Sequence, residues 1–110
     1  MHVIESGHKY HLANLKNEGV TELTFYKDPA IHSTGYPGTS CQEVIRALID
    51  RVLTLDNEKP WSGNESIIQK AREMLALFEM RALQIKVEKG LAIEILPVGS
   101  DGHIQFLGNQ

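Results

Sequence analysis

The chain has 110 residues, a formal net charge of −3 at pH 7 and a pI near 5.9. Its length favours a single domain, 1–110, which is large enough to bury an ordinary hydrophobic core without disulfide bonds or metal ions. The acidic balance argues against nonspecific binding to DNA, RNA or anionic membranes, because those partners require a dense basic surface.

The N-terminal part, residues 1–38, is predicted to be rich in β-structure. Apolar residues alternate with polar ones in 1–15, which predicts one or two short strands. A turn is expected at 16–19, and the alternation in 20–27 predicts a strand that pairs with the first. Residues 30–38 are expected to form a loop, because glycine and proline recur there.

Residues 39–89 predict an α-helical hairpin with a turn at 56–63. The first helix begins with a possible capping box, Ser40 to Glu43, in which a hydroxyl and a carboxylate can each satisfy a backbone N–H. The residues of its apolar face are Val44, Ile45, Leu48, Ile49, Val52 and Leu53. Those of its opposite face are Gln42, Glu43, Arg46 and Asp50. This helix therefore has one side to bury.

A second possible capping box, Ser62 to Glu65, precedes a longer helix with two apolar stripes. The first stripe is expected to pack against the first helix. It consists of Ile67, Ala71, Met74, Leu75, Phe78, Ala82 and Ile85. The second stripe consists of Ala76, Met80, Leu83 and Val87. One helix cannot cover both stripes, so the second must meet either the sheet of its own chain or another subunit; the latter implies an oligomer.

The C-terminal part, residues 90–110, predicts a β-hairpin with strand-like runs at 91–96 and 103–107. The fold class is therefore α+β: a small antiparallel β-sheet from both chain ends, with an inserted antiparallel α-helical hairpin. The sequence shows neither a signal peptide nor an apolar run long enough to cross a bilayer. Cys41 is the only cysteine, which suits a reducing compartment, and we expect a cytoplasmic protein.

Five histidines raise the question of a metal site. His8 and His11, however, are three residues apart in a predicted strand and would point to opposite faces. The other histidines have no recognised ligand spacing, so we interpret all five as surface residues and expect no metal or cofactor. Cys41 lies in a first helical turn, where a lowered pKa would favour a nucleophile, but an inert thiol is the simpler interpretation.

The run from Gly35 to Ser40 leads into a helix N-terminus, whose free N–H groups could bind a phosphate. It lacks the lysine of a phosphate-binding loop, and a turn followed by a helix cap explains the same residues. Asn64 is likewise a natural first-turn residue, and Arg81 could be a solvated charge on the helix surface. Spacing alone favours these structural interpretations.

Four segments occur in one order along the chain: 7–12 (GHKYHL), 48–52 (LIDRV), 60–65 (PWSGNE) and 77–81 (LFEMR). Together they resemble the phage proteins called Thoeris anti-defence 1. That family shares its helical hairpin with phage sponges that counter cyclic-oligonucleotide (CBASS) immunity.

The resemblance implies a sequestering protein rather than an enzyme. Members of the family bind cyclic ADP-ribose isomers of the gcADPR type, which bacterial TIR-domain proteins make, and withhold them from the effector. Some members also bind cyclic di- or trinucleotides. They assemble as oligomers with ligand sites between subunits, so the resemblance implies that this chain forms a homo-oligomer, from a dimer to a hexamer. The implied partner is a cyclic ADP-ribose isomer or a related cyclic nucleotide, and Thoeris immunity would be blocked without cleavage of the ligand.

By position, the resemblance implies that Asn64 and Arg81 contact the ligand, with Arg81 suited to the pyrophosphate. The family carries a base-stacking aromatic residue where this chain has Thr54. Trp61, Tyr36 or Phe78 would have to supply that surface instead, although Phe78 also fits a core position. The C-terminal β-hairpin is an addition to the family pattern.

Helix geometry adds a constraint on the two implied ligand contacts. Arg81 follows Asn64 by 17 residues, so along a continuous helix they lie roughly 25 Å apart. A compact nucleotide cannot span that distance within one chain. Both residues can serve one ligand only if the helices of two chains run antiparallel, and the second apolar stripe could supply that contact.

The predicted mechanism is stoichiometric capture of the ligand, with the loop at 30–38 closing over it. Two alternatives remain open. One is a hydrolase of a signalling nucleotide that uses His8, His11 or Cys41. The other is a helical-hairpin module that binds another protein.

Overall fold

The computed structural model describes residues 1–29 and 35–88, together with the backbone of residues 94–95 and 106–107. The chain divides into two compact units, Met1–Cys41 and Gln42–Gln110. The first contains a β-sheet, and the second contains the two long helices. Among the described residues, no helix has the length and apolar character needed to span a bilayer.

The first unit is built on a three-stranded antiparallel sheet. Its strands are β1 (His2–Glu5), β2 (Lys9–Ala13) and β3 (Val20–Thr24), in the order β1-β2-β3. The turn before β3 contains Gly19 at φ +88°, a conformation that glycine adopts without steric cost. The sequence predicted one or two strands in residues 1–15, and the structure has two. It also confirms the strand that begins at Val20, although that strand pairs with β2 and not with β1.

The predicted third strand extended to residue 27, but β3 ends at Thr24. Beyond it the backbone pairs with residues 35–40 instead. Thr39 N–H donates to the Thr24 carbonyl at 2.9 Å, and Tyr26 N–H donates to the Thr39 carbonyl at 3.0 Å. A side chain at Gly38 would collide with the backbone of Phe25 and Tyr26, so this close approach needs glycine. Residues 30–34 of the predicted loop lie outside the described residues.

The second unit contains the predicted helical hairpin. Its helices are α1 (Cys41–Glu58) and α2 (Gly63–Glu88). The predicted turn at 56–63 was too long, because Lys59 N–H still donates to the Leu55 carbonyl at 2.8 Å and so continues the helical pattern. Pro60 then ends it, since proline has no N–H to donate.

The core between α1 and α2 is small. Its buried apolar residues are Ile45, Ile49, Ile68 and Leu75, with Val52, Ala71 and Phe78 packed against them. The predicted contact face of α2 was therefore partly wrong. Ile68 lies in the core although no stripe contained it, whereas Ile67 and Met74 are 45% and 51% exposed.

An ion pair also joins the two helices, which corrects the prediction that Arg46 lies on the solvent face of α1. Glu79 is only 4% exposed, and its Oε1 accepts a hydrogen bond from Arg46 at 2.8 Å. Arg46 also donates to Glu43 at 2.7 Å. The long arginine side chain thus reaches a buried carboxylate while its stem covers the helix surface.

At the C-terminal end, β4 (Glu94–Ile95) pairs antiparallel with β5 (Phe106–Leu107). The rest of the predicted hairpin lies outside the described residues. The structure confirms the α+β class. It corrects the expectation of one sheet formed by both chain ends, because β1–β3 and β4–β5 form two separate sheets.

Candidate functional site

The connection between the two helices carries an exposed aromatic ring. Trp61 is 63% exposed, and its indole ring lies directly against Gly63, where a Cβ atom would collide with it. Glycine at the start of α2 therefore allows the ring to lie close to the helix. Trp61 is one of the residues that the sequence singled out as a possible stacking surface.

Asp56 organises this connection from the last turn of α1. Its Oδ1 accepts hydrogen bonds from the Asn64 side-chain amide at 2.9 Å and from Trp61 N–H at 3.2 Å. These two bonds, the one from Asn64 first, hold the pKa of the Asp56 carboxyl below its ordinary value. Because the Asn64 amide nitrogen is bound to Asp56, its side-chain carbonyl oxygen is left as an acceptor.

A cavity of about 680 Å³ opens beside this connection, and we call it the tip cavity. It is lined by Leu53, Asp56, Pro60, Trp61, Ser62, Glu65, Ile68, Gln69 and Arg72. Its volume lies within the range of about 300–1,000 Å³ that is usual for small-molecule sites. The sequence interpretation missed Arg72, although Glu65, Gln69 and Arg72 share one helical face by their spacing of four and three residues.

Arg81 and Thr54 lie away from the tip cavity. Arg81 is exposed on the same unbroken helix as Asn64 and 17 residues beyond it, so the two Cα positions are roughly 25 Å apart. Thr54 follows the core residue Ile45 by nine residues and is exposed, which places it about 180° from the face that contacts α2. One chain by itself therefore does not bring Asn64, Arg81 and Thr54 together.

A second hollow, the apolar groove, lies between the helices and has a volume of about 330 Å³. It is lined by Leu48, Ile49, Val52, Ile67, Ile68, Lys70, Ala71 and Met74. Lys70 is the only charged residue of this lining. The exposed side chains of Ile67 and Met74 thus border the apolar groove.

Tyr36 belongs to the first unit and takes part in a polar network there. Its hydroxyl donates to Glu5 Oε2 at 2.7 Å, and the ammonium groups of Lys9 and Lys27 lie 5.3 and 5.5 Å from its ring centroid. Partial burial, followed by the bond to the Glu5 carboxylate, raises the pKa of Tyr36 to about 12. The Lys27 ammonium forms an ion pair with Glu5. These contacts tie Tyr36 to the sheet.

The residues considered for catalysis are also dispersed. His11 on β2 contacts the Glu22 carboxylate at 3.3 Å, His8 packs edge-on against the ring of Tyr36, and Cys41 is a half-buried free thiol at the start of α1. Within residues 1–29 and 35–88, no three His, Cys, Asp or Glu side chains are grouped so that they could hold a metal ion.

No protein-family model matches the chain, and no curated protein or solved structure matches it either. The similarity to Thoeris anti-defence 1 rests on the four sequence segments given above. The helical hairpin carries an exposed indole ring, an oriented amide, a half-buried guanidinium that no other described residue binds, and an apolar groove.

Proposed function

We propose that this protein is a phage anti-defence sponge that binds cyclic ADP-ribose isomers made by TIR-domain proteins and withholds them without cleavage. The capture site lies between two copies of the chain and contains Asn64 of one copy and Arg81 of the other. The observation that carries the proposal is an apolar strip on α2, which borders the contact with α1, is only partly covered by it and has a spacing that matches this pairing. It consists of Ile67, Ala71, Met74 and Phe78, of which Ile67 and Met74 are 45% and 51% exposed.

The pairing follows from placing two α2 helices antiparallel with Asn64 opposite Arg81. Ile67 then lies opposite Phe78, and Ala71 lies opposite Met74. Each apolar residue meets another apolar residue, and the two-fold symmetry repeats every contact. The same residues recur at intervals of three and four, which is the spacing of an antiparallel coiled-coil contact.

The alignment with Asn64 opposite Arg81 also favours one of the two apolar stripes of α2 as the contact between copies. With Asn64 opposite Arg81, Met80 of the second stripe would face Glu65, and Leu83 would face Ser62. Those contacts place apolar residues against polar ones. We therefore assign the contact between copies to the strip that contains Ile67 and Met74, in place of the second stripe that the sequence suggested.

The chemistry of the two residues fits a pyrophosphate ligand. A guanidinium presents a planar fork of donors that can bind phosphate oxygens in pairs, and Arg81 is exposed for that purpose. Asn64 contributes a carbonyl oxygen whose direction is fixed by the bond to Asp56. Trp61 lies three residues before Asn64 and offers the stacking surface that Thr54 lacks. Capture requires slow release, which implies a Kd below about 1 μM.

Native mass spectrometry of the protein mixed with an extract of TIR-activated cells tests this function. An oligomer should gain a discrete mass near that of cyclic ADP-ribose, and heating should release the ligand unchanged. Arg81→Ala should abolish the gain. Arg51→Ala, which removes another exposed arginine of the hairpin, should retain it.

Three results would overturn the proposal. A wild-type protein that gains no ligand mass is not a sponge for these nucleotides. Release of a cleaved ligand would identify a hydrolase, and His8, His11 and Cys41 would then be tested. A stable complex with another protein in the absence of any bound nucleotide would identify an interaction module.

A further inference from the structure

The tip cavity contains a guanidinium, that of Arg72, which forms no ion pair with the residues that the structure describes. Arg72 is half-buried, its Nε is shielded from solvent, and it makes no hydrogen bond or ion pair with the residues that the structure describes. Arg46, in contrast, is bound to two carboxylates. A guanidinium that is partly shielded from solvent and has no acceptor for its Nε–H attracts an anion more strongly than a fully solvated one does.

The two carboxylates of the cavity have different roles. Asp56 is occupied by Asn64 and Trp61. Glu65 is exposed and makes no hydrogen bond with the described residues, and neither carboxylate is paired with Arg72. The cavity therefore offers an aromatic ring, a free carboxylate acceptor and a free cation.

These three groups follow one another along the helix. Trp61 precedes α2, Glu65 lies in its first turn, and Arg72 lies two turns further on the same face, a rise of about 10.5 Å. A ligand that uses all three needs a planar ring at one end, hydroxyl or amino donors in the middle and an anion at the other end. An amino acid is too short for this arrangement, because its charged groups share one carbon atom.

We propose that the tip cavity of each single chain binds a nucleoside 5′-monophosphate group. The base stacks on Trp61, the ribose hydroxyls donate to Glu65, and the phosphate accepts hydrogen bonds from the guanidinium of Arg72. The group comes either from a free mononucleotide or from one half of a captured cyclic ADP-ribose. The site does not rest on the proposed function, because it requires neither Arg81 nor a second copy.

Trp61 is the only tryptophan in the chain, so its fluorescence reports on the cavity directly. Titration of the protein with AMP should change its emission in a saturable way. Arg72→Gln should weaken AMP binding at least tenfold, whereas binding of adenosine, which has no phosphate, should be the same in both proteins. Lys70→Gln removes a neighbouring cation outside the cavity and should leave the affinity for AMP unchanged.

A second variant tests the same site independently, in case Arg72→Gln does not fold. Gly63→Ala adds a methyl group where the Trp61 ring lies; the exposed ring can move away, so the helices should persist by circular dichroism while AMP binding weakens. Cyclic ADP-ribose capture is then measured with Arg72→Gln to distinguish the two sources of the nucleoside 5′-monophosphate group. Retained capture indicates a free mononucleotide, and lost capture indicates half of the captured ligand.

Absence of saturable AMP binding by the wild-type protein would overturn the tip site, as would equal AMP affinity in Arg72→Gln. Arg81→Ala should bind AMP normally even though it fails to capture cyclic ADP-ribose. A failure of the sponge proposal therefore leaves a different pattern from a failure of the tip site.

Discussion

At the scale of single residues, the hairpin depends on polar groups that the sequence pattern places on the surface. Arg46 lies four residues before Asp50, on the side of α1 predicted to face solvent, yet it reaches the buried Glu79. Glu79 belongs to neither of the apolar stripes predicted for α2, so the sequence alone does not mark it as a buried residue. Its burial depends on where α1 packs, which is a tertiary property that helical periodicity does not contain.

Removing the arginine of this pair should destabilise the hairpin. Arg46→Ala leaves the Glu79 carboxylate buried without this charged partner, and we expect a loss of about 1.5–3 kcal/mol in the free energy of unfolding. Glu43→Gln removes only the exposed partner of the same arginine and should cost less than about 1 kcal/mol. Urea denaturation of both variants measures the difference; equal losses would contradict the burial of Glu79.

The lowered pKa of Asp56 predicts a pH-dependent connection between the helices. Because the pKa is lower in the folded state, the stabilisation is complete above the ordinary pKa of an aspartate and is lost as pH falls through the lowered value. Acid should therefore release Trp61 N–H and shift the tryptophan emission. Asp56→Ala should lack this acid transition and show the altered emission already at pH 7. If Asp56→Ala showed the same acid transition, the transition would come from a different titratable group.

At the scale of elements, the sequence predicted the existence of both helices and of the N-terminal strands, since their periodicities and turn residues are local signals. It misplaced the contact face of α2. Ile67 and Ile68 are adjacent and equally apolar, so hydrophobicity alone cannot decide which of them faces α1. The structure selects Ile68, and the strip that contains Ile67 is left partly exposed.

That strip predicts which parts of two α2 helices meet. In a Cys41→Ser background, protein with Ile67→Cys mixed with protein with Phe78→Cys should form an intermolecular disulfide on mild oxidation. Ile67→Cys alone should link poorly, because antiparallel packing places the two copies of residue 67 about 16 Å apart along the axis. Gel electrophoresis without reducing agent measures both. Efficient self-linking of Ile67→Cys would indicate parallel helices instead.

At the scale of the whole molecule, the α+β class followed from the order of the elements along the chain. That order does not determine whether the strands of the two chain ends share a sheet, because tertiary contacts set the pairing partners of distant strands. The same holds for the site. Trp61 and Asn64 could be singled out from a short segment. Arg72 becomes notable only in the structure, where it lines the cavity half-buried and no described acidic residue pairs with it.

The most direct test of capture between two chains is the cyclic ADP-ribose binding capacity of coexpressed Asn64→Ala and Arg81→Ala proteins. Each variant alone should bind none. In random dimers, half of the molecules contain both variants, and each of these has one intact site of two, so about a quarter of the wild-type capacity should return. A mixture that binds nothing, while the wild-type protein binds normally, would contradict a site shared between Asn64 of one chain and Arg81 of another.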